Sequence, residues 1–112
     1  MAFREAGANV LVVDDEAGIR SFMSDALGAF GYQAGAARNA DEAFELVARR
    51  RFDLVISDLR LPGVTGLDFV ARLRTDADLR RVREAGIAIL HKPIQLAHLQ
   101  GALDEALGAR RA

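Results

Sequence analysis

Val10-Leu11-Val12-Val13-Asp14-Asp15-Glu16 is an unbroken apolar run, rich in β-branched residues, that stops abruptly in three acids. A run of this length and composition reads as a strand buried on both faces, as in a parallel sheet, with its carboxylates at the C-terminal end. The pattern recurs at Phe52-Asp53-Leu54-Val55-Ile56-Ser57-Asp58, a second buried strand that again ends in an acid. Between them, apolar residues at 19, 22, 23, 26, 27 and 30 follow the period of a one-faced helix, and Gly31 stops it. Residues 32–37 form an Ala-rich strand. Asn39 caps the next helix, Glu42 answers from the third position, and Ala43, Phe44, Val47 and Ala48 supply its buried stripe. Leu61-Pro62-Gly63 and Thr65-Gly66 mark a loop, after which Leu67, Phe69, Val70 and Leu73 open a third helix. This β-α-β-α-β-α order implies an α/β fold: a doubly wound parallel sheet with right-handed crossovers and helices on both faces.

Beyond residue 73, Leu79, Val82 and Ala85 continue a helical pattern out of phase with the preceding helix. Two helices broken near Thr75-Asp76 account for this, with Thr75 as the cap of the second and Gly86 as its end. Residues 87–90 are a strand running into His91-Lys92-Pro93, and Leu96, Leu99, Leu103, Ala106 and Leu107 make a final amphipathic helix. A chain of 112 residues holds one core, so residues 1–112 are expected to be a single domain, with no output domain. The absence of cysteine excludes disulfides and thiolate metal sites, and no apolar stretch approaches the ~20 residues of a membrane span. A cytoplasmic setting is expected. A net charge of −1 argues against nucleic acid as a direct partner. The one cationic cluster, Arg49-Arg50-Arg51, reads as a solvated helix end. Arg20, His91 and His98 read as surface residues, and Phe22, Met23 and Phe30 as core.

In a doubly wound sheet the functional crevice lies beyond the carboxyl ends of the strands. Asp14 and Asp15 follow one strand, Asp58 another and Lys92 the last, so all four converge on one edge. Three crowded carboxylates repel one another unless a hard cation bridges them, and Mg2+ suits carboxylate, water and phosphate oxygens. A lysine ammonium opposite would pair with an anion placed on the metal. The set describes a phosphoryl site, with one carboxylate as nucleophile.

Residues 10–16, the stretch from Phe52 through Leu59-Arg60-Leu61-Pro62-Gly63-Val64-Thr65-Gly66, and His91-Lys92-Pro93 together resemble the receiver domain of two-component response regulators, a flavodoxin-like fold. The wording Ala85-Gly86-Ile87 through Leu90-His91-Lys92-Pro93 is especially similar to receivers attached to hybrid histidine kinases. The resemblance implies that Asp58 accepts a phosphoryl group from a sensor histidine kinase or phosphotransfer protein. It implies that Asp15 is the main Mg2+ ligand, that Asp14 assists, and that Arg60 lends its backbone carbonyl to the metal. Lys92 becomes the phosphate contact, with a cis Lys92-Pro93 bond aiming it inward. Such domains catalyse only their own phosphorylation and dephosphorylation, so no further enzyme activity is expected. An aspartyl-nucleophile phosphohydrolase would instead carry an acid-x-acid motif after its first strand.

The chain departs from the family at one place. Lys92 follows Asp58 by 34 positions, roughly fifteen too few for a helix, a strand, a second helix and their loops. Residues 73–85 contain no apolar β-run, so the family's fourth strand is expected to be missing, with Thr75-Asp76 a remnant of the junction that carries the switch Thr. The aromatic usually found three positions before the lysine is Ile89 here. The strand at 87–90 then pairs directly with 53–57, giving a four-stranded sheet of order 2-1-3-5 in the family's strand numbering. The alternative is a dimer that exchanges strands to cover an apolar edge. A functional alternative follows as well: a pseudo-receiver that binds a kinase or other partner as an adaptor without productive switching.

Overall fold

A computed structural model describes the backbone of residues 8–58, 60–61, 64–65, 68, 71–72, 86–90 and 96–107, with side chains throughout 8–57, 68, 71–72 and 96–105. Strands β1 (Asn9–Val13), β2 (Gln33–Ala37), β3 (Leu54–Asp58) and β6 (Gly86–Leu90) form a parallel sheet of order β2-β1-β3-β6. Two short strands, β4 (Arg60–Leu61) and β5 (Val64–Thr65), pair antiparallel with each other. Helices with both ends among the described residues are α1 (Ala17–Ala29), α2 (Ala40–Arg49) and α3 (Leu96–Leu107).

The expected order is therefore met, since β6 is the strand foreseen at 87–90 and lies directly beside β3, with Leu54 opposite Gly86 and Asp58 opposite Leu90. This pairing is complete within one chain, the intramolecular alternative to exchange. Asp68, Ala71 and Arg72 are helical, within the third helix expected from Leu67, while the break at Thr75-Asp76 and the helix expected through Leu79, Val82 and Ala85 lie outside the described residues.

Alternation along the strands divides the core. Leu11, Val13 and Val55 face α2 and pack with Ala40, Ala43, Val47 and Phe52. Val10, Val12, Leu54 and Ile56 face the other way, where Met23 and Leu27 of α1 and Leu99 and Leu103 of α3 cover them. Both faces of β1 are dry, which is why its sequence runs apolar without alternation.

Local signals fix the helix ends. At the C-terminus of α1, Gly31 takes φ 94°, while its N–H donates to the Gly28 carbonyl and that of Tyr32 to the Leu27 carbonyl. This is a Schellman closure, with buried Tyr32 and Leu27 belonging to the same core cluster. At the start of α2, the Asn39 side chain accepts from the Glu42 amide at 2.8 Å. Glu42 answers one residue earlier than a standard box, accepting from the Arg38 amide at 3.0 Å and pairing with its guanidinium at 2.9 Å. Replacing an N-cap of this kind costs about 1 kcal/mol. Asn39→Ala is accordingly expected to lower the urea midpoint by that amount of stability, with the slope of the transition unchanged.

Two features differ from expectation. Phe22 is 41% exposed, because α1 turns only its Met23, Ala26 and Leu27 stripe fully to the sheet. Arg50 is not merely solvated: its guanidinium stacks 4.9 Å from the centre of the Phe52 ring. The ring lies so close to β2 that a Cβ at Gly35 would meet it at 3.0 Å, so bare backbone is what admits the ring.

Candidate functional site

The parallel register places the acids. Val13 at the end of β1 stands opposite Ser57 of β3, so Asp14 and Asp58 each lie one step beyond that pair on neighbouring strands. Adjacent strands are ~4.8 Å apart, and the two acidic positions share the carboxyl edge of the sheet. Asp58 in turn stands opposite Leu90, two positions before Lys92 in the chain.

Asp14 is held from three directions. Its amide donates to the Ala37 carbonyl at 3.0 Å, extending the β1–β2 ladder by one bond. Its carboxylate Oδ1 accepts from the Glu16 amide at 2.9 Å. Its carbonyl accepts from Arg20 Nη1 at 2.8 Å. The Asp14 side chain is buried, whereas Asp15 and Glu16 are exposed. The Glu16 amide is one of the donors left without an intrahelical partner at the start of α1, and the Asp14 carboxylate satisfies it.

One carboxylate oxygen from each of Asp14, Asp15 and Glu16 lies within 4.8 Å of the others. A set made only of hard anionic oxygens, one buried and two reaching solvent, suits a small hard divalent cation that keeps part of its water shell. Glu16 was absent from the expected ligand set. Its position directly after Asp14-Asp15 is the signal in the sequence that points to it.

Arg20 also departs from its reading as a surface charge: it is half-buried and bonded to the β1–α1 turn. Ser57, a wholly buried hydroxyl next to Asp58, is a further polar residue at this edge that the sequence did not single out. Arg60 opens the β4–β5 hairpin immediately past Leu59, opposite Thr65, where a plain loop was expected. Lys92, Thr75 and the Lys92-Pro93 bond lie outside the described residues. His98 is exposed on α3, as expected. Among the described residues, no helix is long and apolar enough to cross a membrane.

The comparisons with known proteins agree with this geometry. Residues 10–83 match the family model described as the response regulator receiver domain. The response regulator protein PilR of Pseudomonas aeruginosa is 33% identical over 116 aligned residues that cover 89% of this chain and 26% of PilR. The chain thus spans about a quarter of that relative's length. The sensor histidine kinase AruS of the same organism is 32% identical across 86% of this chain and 12% of its own. Among solved structures, the chemotaxis response regulator CheY4 of Vibrio cholerae superposes with a TM-score of 0.81 at 28% identity, covering 90% of this chain and 99% of CheY4. A four-stranded core of this topology, an acid trio at the end of its first strand and a family match across most of its length lead to one conclusion: the chain belongs to the response regulator receiver domains of two-component signalling.

Proposed function

We propose that this receiver accepts a phosphoryl group on Asp58 from a sensor histidine kinase or a phosphotransfer protein, with Mg2+ as cofactor. The observation that carries the reading is the acid trio at the end of β1, one strand position from Asp58 at the end of β3. Asp14 and Asp15, with Asp58 and the Arg60 backbone carbonyl, would hold the cation, and Glu16 joins them through the trio. When bound, Mg2+ supplies positive charge to the phosphoryl oxygens and relieves repulsion among the carboxylates.

The remaining work falls to the chain. A carboxylate oxygen of Asp58 attacks phosphorus in line; the P–N bond to the donor histidine breaks as the P–O bond forms, and the imidazole, already protonated on its other ring nitrogen, takes the bonding pair and leaves as a neutral ring. The buried Asp14, tied to β2 and to the first turn of α1, keeps its charge in a fixed place during the transfer. Lys92 balances the charge on the transferred group.

The test is a phosphate-affinity gel of the protein incubated with acetyl phosphate or a cognate kinase. A retarded band is expected with Mg2+ and none with a chelator. Absence of the band with a donor that labels another receiver under the same conditions would overturn the proposal.

One observation favours a second reading. β6 pairs directly with β3, so the sheet edge where a receiver reports its phosphorylation is built differently here. A pseudo-receiver that docks a kinase as an adaptor would tolerate that change. Kinase binding unaltered by Asp58→Ala and by chelation, together with no retarded band, would select it.

A further inference from the structure

We infer that Arg20 is a positioning residue for the acidic turn, holding Asp15 where a divalent cation can use it. The inference rests on the cation-site reading given under Proposed function.

Asp15 is exposed and sits in a turn outside both β1 and α1, so packing alone does not fix it. The two carbonyls that flank it are nevertheless both anchored on Arg20. The guanidinium Nη1 donates to the Asp14 carbonyl at 2.8 Å, and the Arg20 backbone N–H donates to the Glu16 carbonyl at 3.0 Å. Arg20 therefore has a donor on each side of Asp15, but only the guanidinium belongs to its side chain; the backbone bond is the first bond of α1, which any non-proline residue at this position makes.

The placement of this cation is informative. Arg20 is the fourth residue of α1, near the end where the helix macrodipole disfavours positive charge. Its guanidinium is half-buried and turned back to a carbonyl, where a charged donor makes a stronger bond than a neutral one. The same charge is bonded to the backbone of the turn that carries three clustered carboxylates. Two opposed consequences follow from its removal. By charge alone, taking a cation away from the trio should tighten metal binding. By positioning, it should loosen binding, because the peptide unit joining Asp14 to Asp15 loses its guanidinium tether and only the backbone bond to the Glu16 carbonyl is left. The structure favours the second effect, since the contact is made to backbone and sets geometry.

The experiment compares the full-length wild type with Arg20→Met and Arg20→Lys. Mg2+ is titrated while amide resonances of the 14–16 turn are followed by NMR, and hydrogen exchange of the Glu16 amide is measured without metal. Arg20→Met is expected to bind Mg2+ about tenfold more weakly, as is usual when a residue that orients metal ligands is lost. Arg20→Lys, with one donor on a flexible stem, should fall between the two. The Glu16 amide, bonded to Asp14 Oδ1, should exchange faster in Arg20→Met than in wild type. Equal or tighter Mg2+ binding by Arg20→Met, beside a wild type that binds, overturns the positioning role alone. A wild type without any Mg2+ response overturns the cation site and this role together.

Discussion

Asp58→Asn is expected to abolish phosphoryl acceptance while leaving the fold as it is. Asparagine keeps the shape of aspartate but replaces the attacking carboxylate oxygen with an amide, which is neutral and a far poorer nucleophile, so no Mg2+-dependent retarded band should form. The fold should survive because Asp58 contributes to the sheet through backbone pairing, opposite Leu90, and that pairing is indifferent to the exchange. The measurement is a phosphate-affinity gel run beside a thermal melt of the same sample. Labelling at the wild-type extent would place the acceptor on another residue. A lost band together with a collapsed melting curve would mean that Asp58 is chiefly structural. Removing one local carboxylate charge also lessens repulsion at the sheet edge, so any change in melting temperature should be upward or negligible.

What could be read from the sequence, and what could not, follows from the range of each interaction. The strands at β1 and β3 were legible because both faces of each are buried and the alternation disappears. The end of α1 was legible because glycine takes a left-handed φ, as Gly31 does, with the least strain. The placing of β6 against β3 followed from counting residues between Asp58 and Lys92, since a chain cannot fit a strand and its connections into too short a span. By contrast, the role of Arg20 depends on where a long side chain turns, and a helical position six residues past Asp14 gives no hint that its guanidinium reaches the Asp14 carbonyl. Phe22 was assigned to the core because it falls on the apolar period, yet a helix lying on a sheet buries a narrower stripe than that period allows. Glu42 was expected to reach the amide of the cap residue and instead takes that of Arg38, a choice of one residue made by side-chain geometry and the nearby guanidinium. The β4–β5 hairpin was read as loop because strands of two residues leave no hydrophobic pattern.

Leu54→Ala should produce the opposite separation, a large loss of stability with the chemistry of the folded molecule preserved. Leu54 is wholly buried and belongs to the cluster that joins β1 and β3 to α1 and α3. Truncating such a leucine removes its transfer free energy and leaves a cavity, a loss of ~2–5 kcal/mol. The dense surroundings, with Leu27, Ile56, Leu99 and Leu103 anchored on three different elements, leave little room for collapse and favour the middle or upper part of that range. For a domain of this size each kcal/mol corresponds to about 4 °C in melting temperature, so a fall on the order of 10–20 °C is expected. Against a total stability of ~5–15 kcal/mol the variant should remain mostly folded at low temperature. Leu54 begins β3 and Asp58 ends it, four residues along a rigid strand, so the cavity opens at the far end of the element from the acids. Phosphoryl acceptance at 10 °C, normalised to the folded fraction from circular dichroism, should therefore match wild type. A melting temperature within a few degrees of wild type would show that the core relaxes around the vacancy. Normalised acceptance well below wild type would show instead that the strand transmits core strain to the site, which the continuous β1–β3 and β3–β6 register argues against.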